Sequence, residues 1–237
     1  MGKRGPKPRR FVRTKWDSEL AYAVGLIATD GCLSKDKRHV DFTSKESEQI
    51  KNFVKALRIS HIKIGKKSSG KGERRKYLRV QIGDVNFYSW LCSIGLTERK
   101  SKTIGVLRIP KRYFFDFLRG VFDGDGSSYS YRDPRWPGSF MFYLSFASAS
   151  QKFLDWIRME IYNRLKVHGH ITHQKDRLCH QLKYAKKDSL KIIRKVYYSA
   201  TVLCLERKRA KIFKALSAEN GKIARVAKLA RRTTLRW

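Results

Sequence analysis

The chain has 237 residues, 41% hydrophobic and 12% aromatic, which is enough for a packed core in one large domain or two of about 100 residues each. Its 54 Lys and Arg against 20 Asp and Glu leave a formal net charge of +34, a surplus that repels itself unless a polyanion is bound. No run approaches the roughly 18 apolar residues that a membrane span needs, and no signal-peptide core follows the N-terminus. The core-forming composition argues against a disordered basic tail, and the lack of an apolar run against a membrane span. The expectation is an intracellular nucleic-acid binder, acting in the cytoplasm, the nucleoid or an organelle.

In chain order, residues 1–15 read as a basic arm whose "GKRGPKPRR" suits a minor groove or a solvated tail equally. Next comes "YAVGLIATDG", an apolar helical stretch that ends on Asp30 and Gly31. "CLSKDKRHVDFTS" then reads as a β-hairpin and "KESEQIKNFVKALRI" as an amphipathic helix, with Ile50, Phe53, Val54 and Leu57 in phase. A second hairpin pairs "HIKIGKK" with "RRKYLRVQIGD" across a Gly/Ser/Lys turn, and "VNFYSWLCSIGL" closes the first half as a helix.

After "ERKSKTIGVLRIPKR" the order starts again. "LRGVFDGDG" repeats the helix that ends on an aspartate and a glycine, here Asp125 and Gly126. A longer hairpin follows, with "RDPRWPG" as its turn, then the helix "ASQKFLDWIRMEIYNRLKV". A second hairpin, "HGHITHQKDRLCHQLKYAKKD", and the helix "SLKIIRKVYYSA" complete the copy. Even the exits match, "TERKSK" against "LERKRAK". The chain therefore divides into the arm, a first repeat (16–98), a linker (99–110), a second repeat (111–216) and a basic tail (217–237). Each repeat reads αββαββα, an α+β fold with antiparallel sheets.

Small residues recur four apart on both repeated helices, at Ala21, Gly25 and Thr29 and at Gly120 and Gly124. Residues so spaced share a face, and glycine inside a helix costs about 1 kcal/mol relative to alanine. Two helices that both carry this cost are expected to pack along those stripes, through Ala21, Gly25 and Gly120. That packing brings Asp30 and Asp125 together at helix C-termini, where carboxylates are disfavoured twice over. Gly31 and Gly126 suit left-handed helix caps. A divalent cation relieves both penalties, and an oxygen-rich site suits Mg²⁺.

Alternation in "RRKYLRVQIG" puts Leu78, Val80 and Ile82 on one face and Tyr77, Arg79 and Gln81 on the other. Side chains of the second kind reach base edges and phosphates. The expected DNA-facing set is Arg38, Asp41, Lys63, Lys66, Arg75, Tyr77, Arg79 and Gln81 in the first repeat. In the second it is Tyr129, Tyr131, Arg132, Arg135, His170, Lys175, Arg177, His180, Gln181 and Lys183. The histidines of "HGHITH" lack the spacing of a zinc site. Cys32, Cys92, Cys179 and Cys204 lack both zinc and disulfide spacing and read as reduced thiols.

The pair "AVGLIATDG" (Ala23 to Gly31) and "LRGVFDGDG" (Leu118 to Gly126) resembles the two motifs of the single-chain LAGLIDADG homing endonucleases. The resemblance spans roughly Trp16 to Leu216. It implies a monomer with pseudo-twofold symmetry, a saddle of two four-stranded sheets lying on double-stranded DNA, and Mg²⁺- or Mn²⁺-dependent cleavage of both strands. It also implies that Asp30 and Asp125 are the catalytic acids, with the carbonyls of Thr29 and Gly124 as further metal ligands. Lys100 and Lys208, on the matched exits, would stand by the scissile phosphates. The sixth motif position is Ala28 in one copy and Asp123 in the other, which suggests that Asp123 is dispensable. A polar side chain that orients water is expected near Lys45–Glu46 and Ser148–Ser150. The alternatives are an intron RNA maturase, with intron RNA as a partner, and a non-cleaving DNA-binding protein of the same fold.

Overall fold

The computed structural model describes residues 11–68, 76–174 and 179–217; Arg75, Lys175 and Arg177, residues 1–10 of the arm and the tail from 218 onward lie outside them. The first half runs α1 (Ser18–Asp30), β1 (Gly31–Leu33), β2 (His39–Ser44), α2 (Ser47–Leu57), β3 (Ile64–Ser68), β4 (Lys76–Gly83) and α3 (Val85–Ser93). A 3₁₀ turn at Lys111–Tyr113 leads into the second: α4 (Phe114–Asp125), β5 (Gly126–Asp133), β6 (Trp136–Ser148), α5 (Gln151–Leu165), β7 (His170–Gln174), β8 (Cys179–Ala185) and α6 (Lys186–Val196). The fold is α+β, written twice as αββαββα, with one further helix, α7 (Glu206–Ser217).

Both sheets are antiparallel and have the same strand order, β1-β2-β4-β3 and β5-β6-β8-β7. Register fixes their faces. Val40 lies opposite Ile82 and Phe42 opposite Val80, and all four are buried under the helices. Phe146 opposite Leu182 and Leu144 opposite Tyr184 do the same in the second sheet. Alternate residues therefore point away from the helices.

Local chemistry sets the helix ends. The Asp17 carboxylate accepts the Leu20 amide at 2.8 Å and starts α1. Asp84 caps α3 through the Phe87 amide and also accepts the Phe11 and Val12 amides, at 2.6 and 3.0 Å. Phe11 and Val12, within the stretch read as the basic arm, are thus tied to the first repeat, and Val12 is buried. Helices α2 and α5 stop at matched positions, where Arg58 and Lys166 take left-handed backbone at φ 58° and 52°.

The halves meet where α1 and α4 cross. A Cβ placed on Gly25 would lie 2.2 Å from the Phe117 carbonyl oxygen, and one on Gly120 would lie 2.1 Å from that of Tyr22. Backbone touches backbone there, and only glycine permits it. Ala21 is completely buried on the same helix. One turn on, the Thr29 hydroxyl occupies the space that a Gly124 side chain would need. Further contacts tie the halves together: Asn52 on α2 donates to the Cys204 carbonyl and Arg207 on α7 pairs with Glu46 at the start of α2, while Ser150 Oγ at the start of α5 donates to the Ile104 carbonyl of the linker.

Two glycines play a different part from the one expected. Gly31 and Gly126 are extended, with φ −80° and −82°, so neither is a left-handed cap. Each strand instead turns straight back over the last turn of its helix. A Cβ on Gly31 would meet the Ile27 backbone at 2.6 Å, and one on Gly126 the Phe122 backbone at the same distance. The turn of the β5–β6 hairpin is also tighter than "RDPRWPG" suggested, because β6 already begins at Trp136 and only Pro134 and Arg135 turn.

Candidate active site at the paired helix ends

Asp30 and Asp125 are the last residues of α1 and α4, set side by side by the glycine crossing and open to solvent at their tips. Asp30 reaches across the pair: a Cβ on Gly124 would be 3.0 Å from its Oδ2. Partial desolvation, then the charge of Asp125, raises the Asp30 carboxyl to about 6 despite the nearby lysines. Desolvation likewise raises Asp125. Two carboxylates held together at the negative ends of two helices form a site poised for a cation.

The lysines of the two exits sit at these same helix ends. Lys100, buried in the loop after α3, donates from Nζ to the carbonyls of Gly31 at 2.5 Å and Thr29 at 3.3 Å. Lys208 donates to the carbonyls of Phe122, Asp123, Gly124 and Gly126, all at 2.8–2.9 Å. Desolvation lowers both ammonium groups. The two exits differ in form, since Lys100 lies in a turn and Lys208 in the first turn of α7.

Among the described residues no cluster of three or more His, Cys, Asp or Glu side chains could hold a metal ion by itself. The carboxylate pair fits a divalent cation in charge and donor type, with further oxygens needed from elsewhere. The carbonyls of Thr29 and Gly124 are less well suited, because each already accepts from an ammonium group that would repel a dication.

Two residues matter here in ways the sequence reading missed. Gln49, buried in the first turn of α2, accepts from Ser44 Oγ at 2.6 Å and donates to the Asp123 carbonyl at 3.2 Å. Its amide also lies 3.5 Å from Asp30 Oδ2. A polar residue in the first turn of an otherwise apolar helix face was the available signal. Asp123 is a structural hub: its Oδ2 accepts from Tyr22 Oη on α1 and from the Leu205 amide before α7, both at 2.7 Å. Burial raises its carboxyl to about 6. The matching position in the first copy is Ala28, buried in the core and without a carboxylate to build such a junction.

Of the expected DNA-facing residues, register turns Asp41, Tyr77, Arg79 and Gln81 away from the helices in the first sheet. Tyr129, Tyr131, His170, Gln181 and Lys183 lie on the equivalent face of the second. Lys66, Arg132 and His180 do not, since they share parity with the core-facing Leu78, Phe142 and Leu182. Arg38 and Arg135 are in hairpin turns, and Lys63 precedes β3. Arg79 is paired with Asp41 through two hydrogen bonds of 2.9 and 2.7 Å, a diagonal contact that alternation alone does not reveal.

The paired helices, the two four-stranded sheets and their strand order define the LAGLIDADG fold. The DNA-bound homing endonuclease I-WcaI shares it, with a TM-score of 0.59 and 15% identity over 84% of this chain and 88% of that one. I-DmoI in complex with DNA and Mn superposes with a TM-score of 0.50 at 17% identity, over 77% and 97% of the chains. A full-length DUF199/WhiA protein from Thermatoga maritima gives a TM-score of 0.53 at 15% identity, over 94% and 69%. No protein-family profile and no curated protein matches the sequence. Among the described residues no helix is long and apolar enough to cross a membrane.

Proposed function

We propose that this chain is a site-specific double-stranded DNA endonuclease of the homing type, cutting one phosphodiester in each strand of a long site with Mg²⁺ or Mn²⁺. The observation that carries this reading is the meeting of Asp30 and Asp125 at two helix ends, between two sheets whose outer faces bear polar side chains. The homing-endonuclease neighbours support it, among them I-DmoI structures containing Mg, Mn or Ca. In this reading one protein molecule spans the site, and its pseudo-twofold axis matches the two strands.

Asp30 and Asp125 would hold the cation, with phosphate oxygens of the DNA completing its shell. A divalent ion there supplies an activated water and stabilises the leaving oxygen. Lys100 and Lys208 fix the carbonyl ends of the helices and would neutralise charge on the phosphates beside them. Gln49 would keep the Asp30 carboxylate aimed. The sheets position the duplex, through phosphate contacts for affinity and base-edge contacts for sequence.

One observation favours a second reading, a DNA-binding protein of this fold that does not cleave. The ammonium groups already satisfy the carbonyls that a metal would share. Cleavage with strand-specific labels separates the readings. Asp30→Asn and Asp125→Asn keep the shape but remove one metal-binding charge each, so either should abolish cutting of at least one strand and leave specific binding intact. A wild-type protein that binds its selected duplex but never nicks it with Mg²⁺ or Mn²⁺ would establish the second reading.

A further inference from the structure

The outer faces of the two sheets differ in chemistry. Strand β1 is only three residues long and offers Cys32, opposite Asp41, which is itself paired with Arg79. Strands β5 and β6 are eight and thirteen residues long and carry a row of tyrosines there instead. Tyr129 stands opposite Tyr143, and Tyr131 opposite Met141. The rings of Tyr129 and Tyr143 stack with centroids 5.0 Å apart and planes 15° apart, and those of Tyr131 and Tyr143 lie 6.4 Å and 11° apart. Tyr129 and Tyr131 are 39% and 46% exposed, far more than a structural aromatic requires.

The stacking decides what such a row can recognise. A platform for unpaired bases needs ring faces lying open. Here Tyr129 and Tyr143 cover part of one face of each other and Tyr131 runs parallel beside them, so the row offers ring edges and hydroxyl tips more than an open platform. A tyrosine hydroxyl both donates and accepts, and so discriminates poorly among base edges. What remains selective is the apolar ring edge, and the apolar feature in a major groove is the thymine C5-methyl.

We propose that the Tyr129–Tyr143–Tyr131 row reads thymine methyl groups in the half-site beneath the second sheet, while the first half-site is read by hydrogen bonding through Arg79, Asp41 and Gln81. This rests on the duplex-binding part of the function proposed above. The second half-site then holds a thymine-rich, methyl-dependent stretch beneath these tyrosines, beside the polar contacts of Gln181 and Lys183, and the first half-site has no such stretch.

Duplexes selected by binding from a randomised library in EDTA, without any cleavage, provide the test. Thymines in each half of the selected site are replaced by deoxyuridine, which removes the methyl and leaves the base pairing. Each contacted methyl lost beneath the second sheet should weaken binding about fourfold, and losses in the other half should have little effect. Tyr131→Ser should lose sensitivity to uracil at the thymines nearest Tyr131, whereas Tyr131→Phe should keep the parental sensitivity there. Melting at the parental temperature shows that each variant is folded. Wild-type binding indifferent to uracil, a folded Tyr131→Ser with undiminished sensitivity, or preferred binding to single-stranded RNA would each overturn the proposal. Selected sites that are cut but insensitive to uracil overturn this inference alone, whereas failure to enrich any duplex sequence overturns the DNA reading beneath it.

Discussion

At the scale of single residues, the site is a balance between two acids and two lysines. The fold holds the Asp30 carboxyl at about 6, above its ordinary 3.8, so the folded state prefers it protonated. That preference stabilises fully below about pH 4 and is lost as pH rises through 6. Metal-free Asp30→Asn should therefore melt above the wild type at pH 7.5 and no higher than it at pH 4. The gain should be on the order of 1 kcal/mol, since both carboxylates keep solvent contact that screens their repulsion. Equal melting at both values would mean that Asp30 is unstrained. Lys208 offers the opposite case. Its three N–H groups are shared among four carbonyls around the end of α4, against two carbonyls for Lys100 at the end of α1. Stranding a buried polar group costs about 1–3 kcal/mol. Lys208→Met should lower the urea midpoint, and by more than Lys100→Met does. If both melt like the parent, the lysines are held for the substrate alone.

At the scale of elements, the contact between α1 and α4 leaves no room even for a methyl group. Gly25→Ala and Gly120→Ala would each place a carbon just over 2 Å from a carbonyl oxygen of the other helix. Overpacking costs typically about 1–3 kcal/mol, and contact with rigid backbone should fall at the upper end of that range. Both should lower thermal stability and, on the endonuclease reading proposed above, cutting with it, since separating the helices also separates the acids. An alanine variant that melts and cuts like the parent would show that the helices slide freely. This contact was legible in the sequence because two glycine stripes at the same spacing have one simple physical explanation. The sheets were legible too, through alternation such as Leu78, Val80 and Ile82 against Tyr77, Arg79 and Gln81. Helix α7 was not, because "LERKRAK" looked like a copy of a turn. The signal lay further on, in Ile212 and Leu216, four apart and both buried. Nor could alternation find the Arg79–Asp41 pair, which depends on register between strands far apart in sequence. That pair predicts that Arg79→Ala weakens binding while Asp41→Ala, which frees the guanidinium, shifts base preference at the same position. Unchanged profiles for both, read base by base, would place this part of the sheet in solvent.

At the scale of the whole molecule, the net charge of +34 is far more than two acids and their lysines require. On the DNA-binding reading proposed above, a long polyanion running under both halves offsets it. Each neutralised phosphate contributes about −0.9 to the slope of log affinity against log salt. If the two sheets together engage about six phosphates, affinity for duplex should fall about 10³-fold between 50 and 200 mM salt. The two kinds of contact can then be separated on one molecule. Removing a lysine that touches phosphate should make the slope shallower by about 0.9 and leave sequence preference unchanged. Lys183→Ala is such a case, its side chain lying on the outer face of the second sheet opposite His170 and Ser145. Tyr131→Ser should do the reverse, altering preference in one half-site while the slope stays parental, because no counterion is released by an aromatic ring. Fluorescence anisotropy over a salt series, with wild type and both variants on the same duplex, measures both quantities. A wild-type slope near zero would sink phosphate-dominated binding, and a slope changed equally by Lys183→Ala and Tyr131→Ser would show that charge and sequence are not read by separate groups.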